Sequence, residues 1–326
     1  EARLSKAIEA DSEKKYSRKI DAQSGVAFLF HRLSSDLGAQ RATFLSLVTA
    51  QIAARISPEN DYGHLILGQA YQKIENSKLA NRQLARVSEN SPYFLVALNS
   101  EILNQIEAKQ FDAAISRLDQ RIAGEGATPE LRFLKGQVFQ VSGQHKQAAD
   151  AFSEAISLAE NKNYPDHILA SYWLSLGGAQ EQAGIWPQGL KSLERANELR
   201  PNTASILNYL GYAQLERREN TAEAVIAIQK AHKLRSSSPA ITDSLGWAYF
   251  LTGEHLRAVE FLEQALAGQP QDPTINEHLG DAYWTVGRKF EARYAWQSAK
   301  LFAEESEIER LSEKIDIGLR PGLVSP

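Results

Sequence analysis

The 326-residue chain contains no cysteine and no methionine. The first absence removes disulfides, thiolate metal sites and a cysteine nucleophile, and it suits a reducing or an oxidising compartment equally. The second extends to the initiator. The chain begins at Glu1, as a matured, trimmed or incomplete polypeptide would, so any signal peptide would be lost upstream. With 20 glycines and 11 prolines there is little room for long disordered linkers. No apolar run approaches the roughly 20 residues of a membrane-spanning helix. The most apolar stretch, Val26 to Phe30, is stopped by His31 and Arg32. An excess of positive charge is missing too: 36 basic residues are interleaved with 40 acidic ones for a net charge of -4. Nucleic-acid binding, which needs a basic face, is therefore not expected.

Patterns that carry chemistry are equally scarce. The histidines, His31, His64, His145, His167, His232, His255 and His278, show no metal-ligand spacing. Glu254-His255 and Glu277-His278 lack a second histidine one helical turn away, so the zinc-protease arrangement is absent. Gly124-Glu125-Gly126 precedes Thr128-Pro129 and reads as an interhelical turn, since a phosphate cradle would need the lysine and hydroxyl of a Walker loop. No serine sits in a nucleophile elbow, because no segment reads as a strand. We expect no catalytic residue, no metal and no cofactor, and hence no enzyme, unless a catalytic domain lies upstream of Glu1.

What the chain does have is a motif that returns in phase. Leu67-Gly68, Leu176-Gly177, Leu210-Gly211, Leu245-Gly246 and Leu279-Gly280 are each followed by further small residues downstream, and 34 residues separate both Gly177 from Gly211 and Gly246 from Gly280. A period of 34 indicates a repeated helical hairpin. In the clearest unit, Pro239 to Pro270, the small Gly246 and Ala258 let the hairpin's helices approach, Gly253 makes the turn, Ala265 lets the next hairpin stack, and Pro270 ends the second helix. The next unit carries Leu279, Gly280, Tyr283, Gly287, Ala292, Trp296 and Ala299. Earlier units centre on Gly136 and Gly68, with a weaker one holding Ala114 and Leu118 and having Ile102 in place of the glycine. Between Gly136 and Gly177 the step lengthens to 41 residues, and Asn161 to His167 reads as an enlarged loop that is a secondary candidate for partner contact.

This pattern resembles the tetratricopeptide repeat family over about Asp61 to Ala299. Segments such as Asn208-Tyr-Leu-Gly-Tyr212 and Asp243-Ser-Leu-Gly-Trp247 look more particularly like large bacterial members, often exported or attached to the outer membrane, some of which act as protease adaptors. The fold implied is all-α, a right-handed superhelical solenoid of antiparallel helix hairpins closed by a C-terminal capping helix. We divide the chain into a polar N-terminal helix or loop (1–24), a degenerate hairpin (25–60), six repeat units (61–303), a capping helix (304–319) and a tail (320–326).

The resemblance also implies a site. In the family the first helix of each hairpin lines a concave groove that receives a peptide or a partner helix. Transferred here, the lining positions are Ser205, Asn208, Tyr212 and Leu215; Ala240, Asp243, Trp247 and Phe250; and Thr274, Glu277, Asp281 and Trp284. The aromatics among them would supply contact area, or would fill the seam between hairpins. The acids Asp243, Glu277 and Asp281 are costly to bury without partners, so exposure in the groove is expected. They would repel the carboxylate tails that one branch of the family grips and would favour a basic or apolar segment. The expected function is a non-catalytic scaffold or adaptor binding a protein partner of unknown identity, in a bacterial envelope assembly or with a protease. The alternatives are a self-assembling solenoid, which could form homo-oligomers, and the repeat part of a larger enzyme. A periplasmic or outer-membrane location is favoured, and a cytoplasmic one is compatible.

Overall fold

Each recurring Leu-Gly pair lies in the middle of a first helix, at the place where the returning helix crosses closest. A Cβ on Gly246 would lie 2.7 Å from the Leu262 side chain, and one on Gly280 would lie 2.4 Å from Trp296. Only glycine admits those large residues at such range, so the motif marks the hairpin contact itself. The computed structural model describes residues 22–325. The segment expected over 1–24 lies outside the described residues except for its last three.

Among the described residues there are 17 α-helices and no strand. In chain order they are α1 (Ala22–Ala39), α2 (Thr43–Ile56), α3 (Asp61–Gln72), α4 (Ser77–Leu84), α5 (Phe94–Glu107), α6 (Phe111–Glu125), α7 (Pro129–Val141), α8 (His145–Asn161), α9 (Asp166–Gln182), α10 (Trp186–Leu199), α11 (Ala204–Glu216), α12 (Thr221–Leu234), α13 (Pro239–Leu251), α14 (His255–Gly268), α15 (Pro273–Thr285), α16 (Lys289–Phe302) and α17 (Ile308–Ile317). Local signals set their ends. Asn60, Thr128 and Asp272 cap α3, α7 and α15 by accepting from the backbone N–H of Gly63, Leu131 and Ile275. Pro129, Pro239 and Pro273 open their helices, where the missing N–H is not needed. The turns reverse through left-handed residues, Gly253 and Gly287 at φ 86° and 88° in the regular units. In the turn between α11 and α12, one residue longer than these, Arg218 and Asn220 take that conformation at φ 55° and 47°.

The described residues form two compact units, divided between residues 125 and 126. In the first, α1 to α6 pair successively; Leu65, Leu84, Val87 and Ala97 make one apolar cluster. Reciprocal hydrogen bonds of 2.8 Å between the Ser34 and Ser46 side chains and each other's carbonyls join α1 to α2. The pair α5/α6 has the buried Ile102 at the glycine position, which is why seven pairs rather than six motif-bearing units lie between Asp61 and Phe302.

In the second unit, α7/α8, α9/α10, α11/α12, α13/α14 and α15/α16 are the hairpins, and α17 follows them. The enlarged loop expected at Asn161 to His167 is not there. The surplus residues extend helices instead, α8 and α9 each having 17 residues and leaving only 162–165 between them. Tyr164 in that short link packs against the apolar cluster around Phe152 and Tyr172 and donates to Glu130. A core in this unit gathers Trp247, Tyr249, Phe250, Leu262 and Leu279, with Leu215 and Ile228 of the preceding hairpin.

Candidate partner-binding groove

The first helices α11, α13 and α15 stand side by side, and a polar pair joins each to the next at one register. Asn208 Nδ2 donates to Ser244 Oγ at 3.2 Å. His278 Nδ1 contacts the Asp243 carboxylate at 3.0 and 3.1 Å. Lys314 Nζ donates to Glu277 at 2.6 Å and to both Asp281 oxygens at 2.8 Å. Thus α17 meets α15 as α15 meets α13, occupying the place of a further first helix.

These pairs correct the expected exposure of the acids. Asp243, Glu277 and Asp281 are 7%, 3% and 0% exposed. Each has partners from its own chain: His278 for Asp243, Lys314 and Arg310 for Glu277, and Lys314, the Trp296 indole and the Ser325 backbone N–H for Asp281. Burial without such partners would cost several kcal/mol, so the pairing is what makes the positions tolerable. Burial disfavours the charged His278 ring, but the charge and hydrogen bond of Asp243, with Asp281 and Glu277 adding to them, raise its pKa above the ordinary value. Burial also raises that of Asp281, against the opposing pull of Lys314, Ser325 and Trp296.

The aromatics divide. Trp247 is fully buried, stacked on Phe250 at 4.6 Å and on His278 at 4.0 Å, with its indole N–H donated to Glu216 at 2.9 Å. Phe250 and Leu215 join it in the core. Trp284 is half-buried beside Trp296, with Lys289 and Arg293 over its ring. Tyr212 and Asn208 are partly exposed and line an open cleft, and Asp243 reaches its edge.

That cleft, of about 660 Å³, lies against α11 and α13. Besides Asn208, Tyr212 and Asp243 it is lined by Glu181, Tyr209, Glu216 and Arg217, by Ala240 and Ser244 of α13, and by Asp272, Thr274 and Ile275 at the start of α15. Glu181 accepts from Arg217 at 2.6 Å and from Tyr209 at 3.1 Å. Burial and then the charges of Glu216, Asp243 and Glu181 push the Tyr212 phenol well above its usual range. Four carboxylates face one guanidinium and the buried imidazole behind Asp243, a field that attracts cations and repels anions. Sequence reasoning did not identify Glu181, Glu216 or Asp272. The family's lining rule counts positions in the middle of first helices, whereas these acids sit near helix ends. Among the described residues there is no cluster of three or more His, Cys, Asp or Glu placed to hold a metal, and no helix is long and apolar enough to cross a membrane.

Hairpins closed by a glycine-to-large-residue contact and stacked at steps of 34 residues or more define an all-α helical-repeat solenoid, the fold of tetratricopeptide repeat proteins. The comparisons agree on that class. A TPR repeat-containing protein of Pseudomonas aeruginosa is 29% identical over 223 residues, which are 68% of this chain and 36% of that relative's length. A tetratricopeptide repeat protein from Parabacteroides merdae aligns with a TM-score of 0.60 at 12% identity, over 80% of this chain and 99% of that one. A chain of the APC/C hetero-tetramer Cut9–Hcn1 aligns with a TM-score of 0.60 at 16% identity, over 85% and 53%. No protein-family model matches the chain. Proteins of this class generally serve as scaffolds for protein–protein interaction, and the chain has the fold of one.

Proposed function

We propose that the chain is a non-catalytic scaffold that seats a segment of a protein partner in the cleft beside Tyr212, and that the segment carries basic side chains. The observation that supports this is the cleft itself, open and aromatic-floored, with Glu181, Glu216, Asp243 and Asp272 around it. Tyr212 offers contact area at little entropic cost, and the carboxylates give orientation and partner choice. A place in a bacterial envelope assembly or as a protease adaptor is the finer reading, supported by the sequence resemblance to exported bacterial repeat proteins.

The test is a photo-crosslinking residue at Thr274, exposed on the cleft rim, compared with one at Lys230, exposed on α12. A partner trapped from the source cell at the first position only, released by salt and lost on Tyr212→Ala with the fold retained, is the expected result. Equal trapping at both positions, or trapping indifferent to salt and to Tyr212→Ala, would rule the cleft out.

Self-assembly is a second reading, favoured by exposed Phe28, Leu29 and Leu33 on α1. Sedimentation of the chain with these three changed to serine would decide it, a shift from oligomer to monomer being the outcome required.

A further inference from the structure

Beyond Ile317 the backbone turns at Gly318, which has φ 85°, and the following residues come back across the last two first helices. Leu319 and Val324 pack against the apolar cluster that contains Trp247, Phe250 and Ala282. The Ser325 N–H donates to Asp281 Oδ2 at 2.9 Å. Gly318 lies so close over Trp284 that a Cβ there would be 2.0 Å from the indole, so this position cannot carry a side chain without moving the ring. The segment brings its own apolar side chains, yet its only regular structure is the short 3-10 turn Pro321–Leu323. Arg320, Pro321 and Gly322 remain exposed.

We propose that the groove of the last two hairpins is a second segment-binding site and that residues 319–325 are its resident occupant, a strap hinged at Gly318 that an incoming segment displaces. The ligand it fits is an extended peptide with two aliphatic side chains at the spacing of Leu319 and Val324 and a donor that takes the place of the Ser325 N–H on Asp281. The cap and the strap share Asp281 and the cluster around Trp296, against which Leu319 also packs, but the cap has anchors of its own. Leu311 and Lys314 belong to α17 and stay anchored among Ala292, Trp296, Glu277 and Asp281 when the strap leaves. An element held by Leu319, Val324, the buried Ser325 and one hydrogen bond opens at lower free energy than the hairpin core, and low local stability is what an exchangeable occupant requires. Only the identity of the displacing ligand, a partner segment, rests on the scaffold reading above.

The absence of cysteine makes the strap measurable. Ser325→Cys and Ala292→Cys each place one buried thiol, at the strap and in the core, in an otherwise thiol-free chain. Labelling of Ser325→Cys by a disulfide reagent under native conditions should run on the order of 100-fold faster than that of Ala292→Cys, and faster again when Asp281→Asn removes the anchoring charge. Equal rates at the two sites would overturn the proposal. In a second measurement a fluorescein-labelled peptide of residues 318–326 is added to the chain ended after Ile317 and to the intact chain. Binding to the shortened chain, at least about ten-fold weaker to the intact one, is expected. Equal binding, none, or loss of helical fold on shortening would show the strap to be a fixed part of the structure. The labelling rate requires no partner, so a failed strap leaves the upstream cleft standing and a failed cleft leaves the strap.

Discussion

His278 Nδ1 lies 3.0 Å from Asp243 across the seam between α13 and α15, with the imidazole stacked on Trp247 and no water-exposed surface. A repeat solenoid has no single core, so neighbouring hairpins must be joined by interfaces of this kind. Here a charge pair and an aromatic stack occupy one position, and the indole passes the contact back to Glu216 of the preceding hairpin.

The pH dependence of that seam follows. His278 has its pKa raised by Asp243, with Asp281 and Glu277 contributing and Lys314 paired to those two acids behind it. A raised folded-state value means that the stability it contributes is fully present below the unfolded value of about 6.5 and is lost as pH rises through the folded value. The His278 ring resonance should therefore titrate above pH 6.5. Asp243→Asn should lower the midpoint, because burial is then opposed only by the charges of Asp281 and Glu277. A midpoint unmoved by Asp243→Asn would refute the assignment.

Replacing the glycine at the hairpin contact should be costly in proportion to what it meets. Gly246→Val puts branched carbons where Leu262 lies 2.7 Å from the Cβ position, an overpacking that costs about 1–3 kcal/mol. Gly124, which has nothing within 4 Å of a built Cβ, is the control. Its replacement by alanine should be neutral or slightly stabilising, because alanine is the better helix former. Urea unfolding of both variants gives the comparison, and equal midpoints would contradict it.

These positions also show how far sequence carries. Hairpin order and contact points were legible because Gly246 and Gly280 answer a local steric demand that recurs at 34 residues, whereas the pair with Ile102 in place of the glycine escaped the count. The lining rule carried over from the repeat family named Asn208, Tyr212 and Asp243, and these three border one cleft. The burial of Glu277 and Asp281 was not legible, because it depends on Lys314, at 37 and 33 residues' distance, on a segment with no repeat phase. A lysine between Leu311 and Ile315 on the apolar face of α17 was the available signal, since such a residue needs a carboxylate to receive it. Nor does any pattern in Leu319 to Ser325 announce that the chain returns over Trp284.

Lys314 gives the sharpest test of the cap. Lys314→Met removes the ammonium from Glu277 and Asp281 while preserving length and apolar contact, leaving Asp281 buried without its counter-ion. Removing one partner of such a pair costs about 3–5 kcal/mol. Adding Asp281→Asn and Glu277→Gln to Lys314→Met should recover much of that loss, because no unpaired charge then remains. Thermal unfolding of the single and triple variants distinguishes this from simple packing damage, for which the added changes would lower stability further.

Trp247 and Tyr212 should separate fold from binding. Trp247 is enclosed by Phe250, His278 and the Leu262 cluster, and its truncation to alanine removes a buried aromatic worth about 3–5 kcal/mol, enough to unfold the C-terminal hairpins near physiological temperature. Tyr212 is partly exposed on the cleft, so Tyr212→Phe should leave unfolding within about 0.5 kcal/mol of the parent, keeping the ring and removing only its hydroxyl. If the cleft receives a basic segment, Tyr212→Phe retains the bound partner while Glu216→Gln weakens it. Glu216 must be judged with Trp247 in view, because its carboxylate also accepts the indole N–H. The glutamine carbonyl can keep that bond, so a loss of partner with unchanged indole resonance and unchanged unfolding midpoint would assign the effect to charge. A loss accompanied by a shifted indole resonance would assign it to a disturbed Trp247.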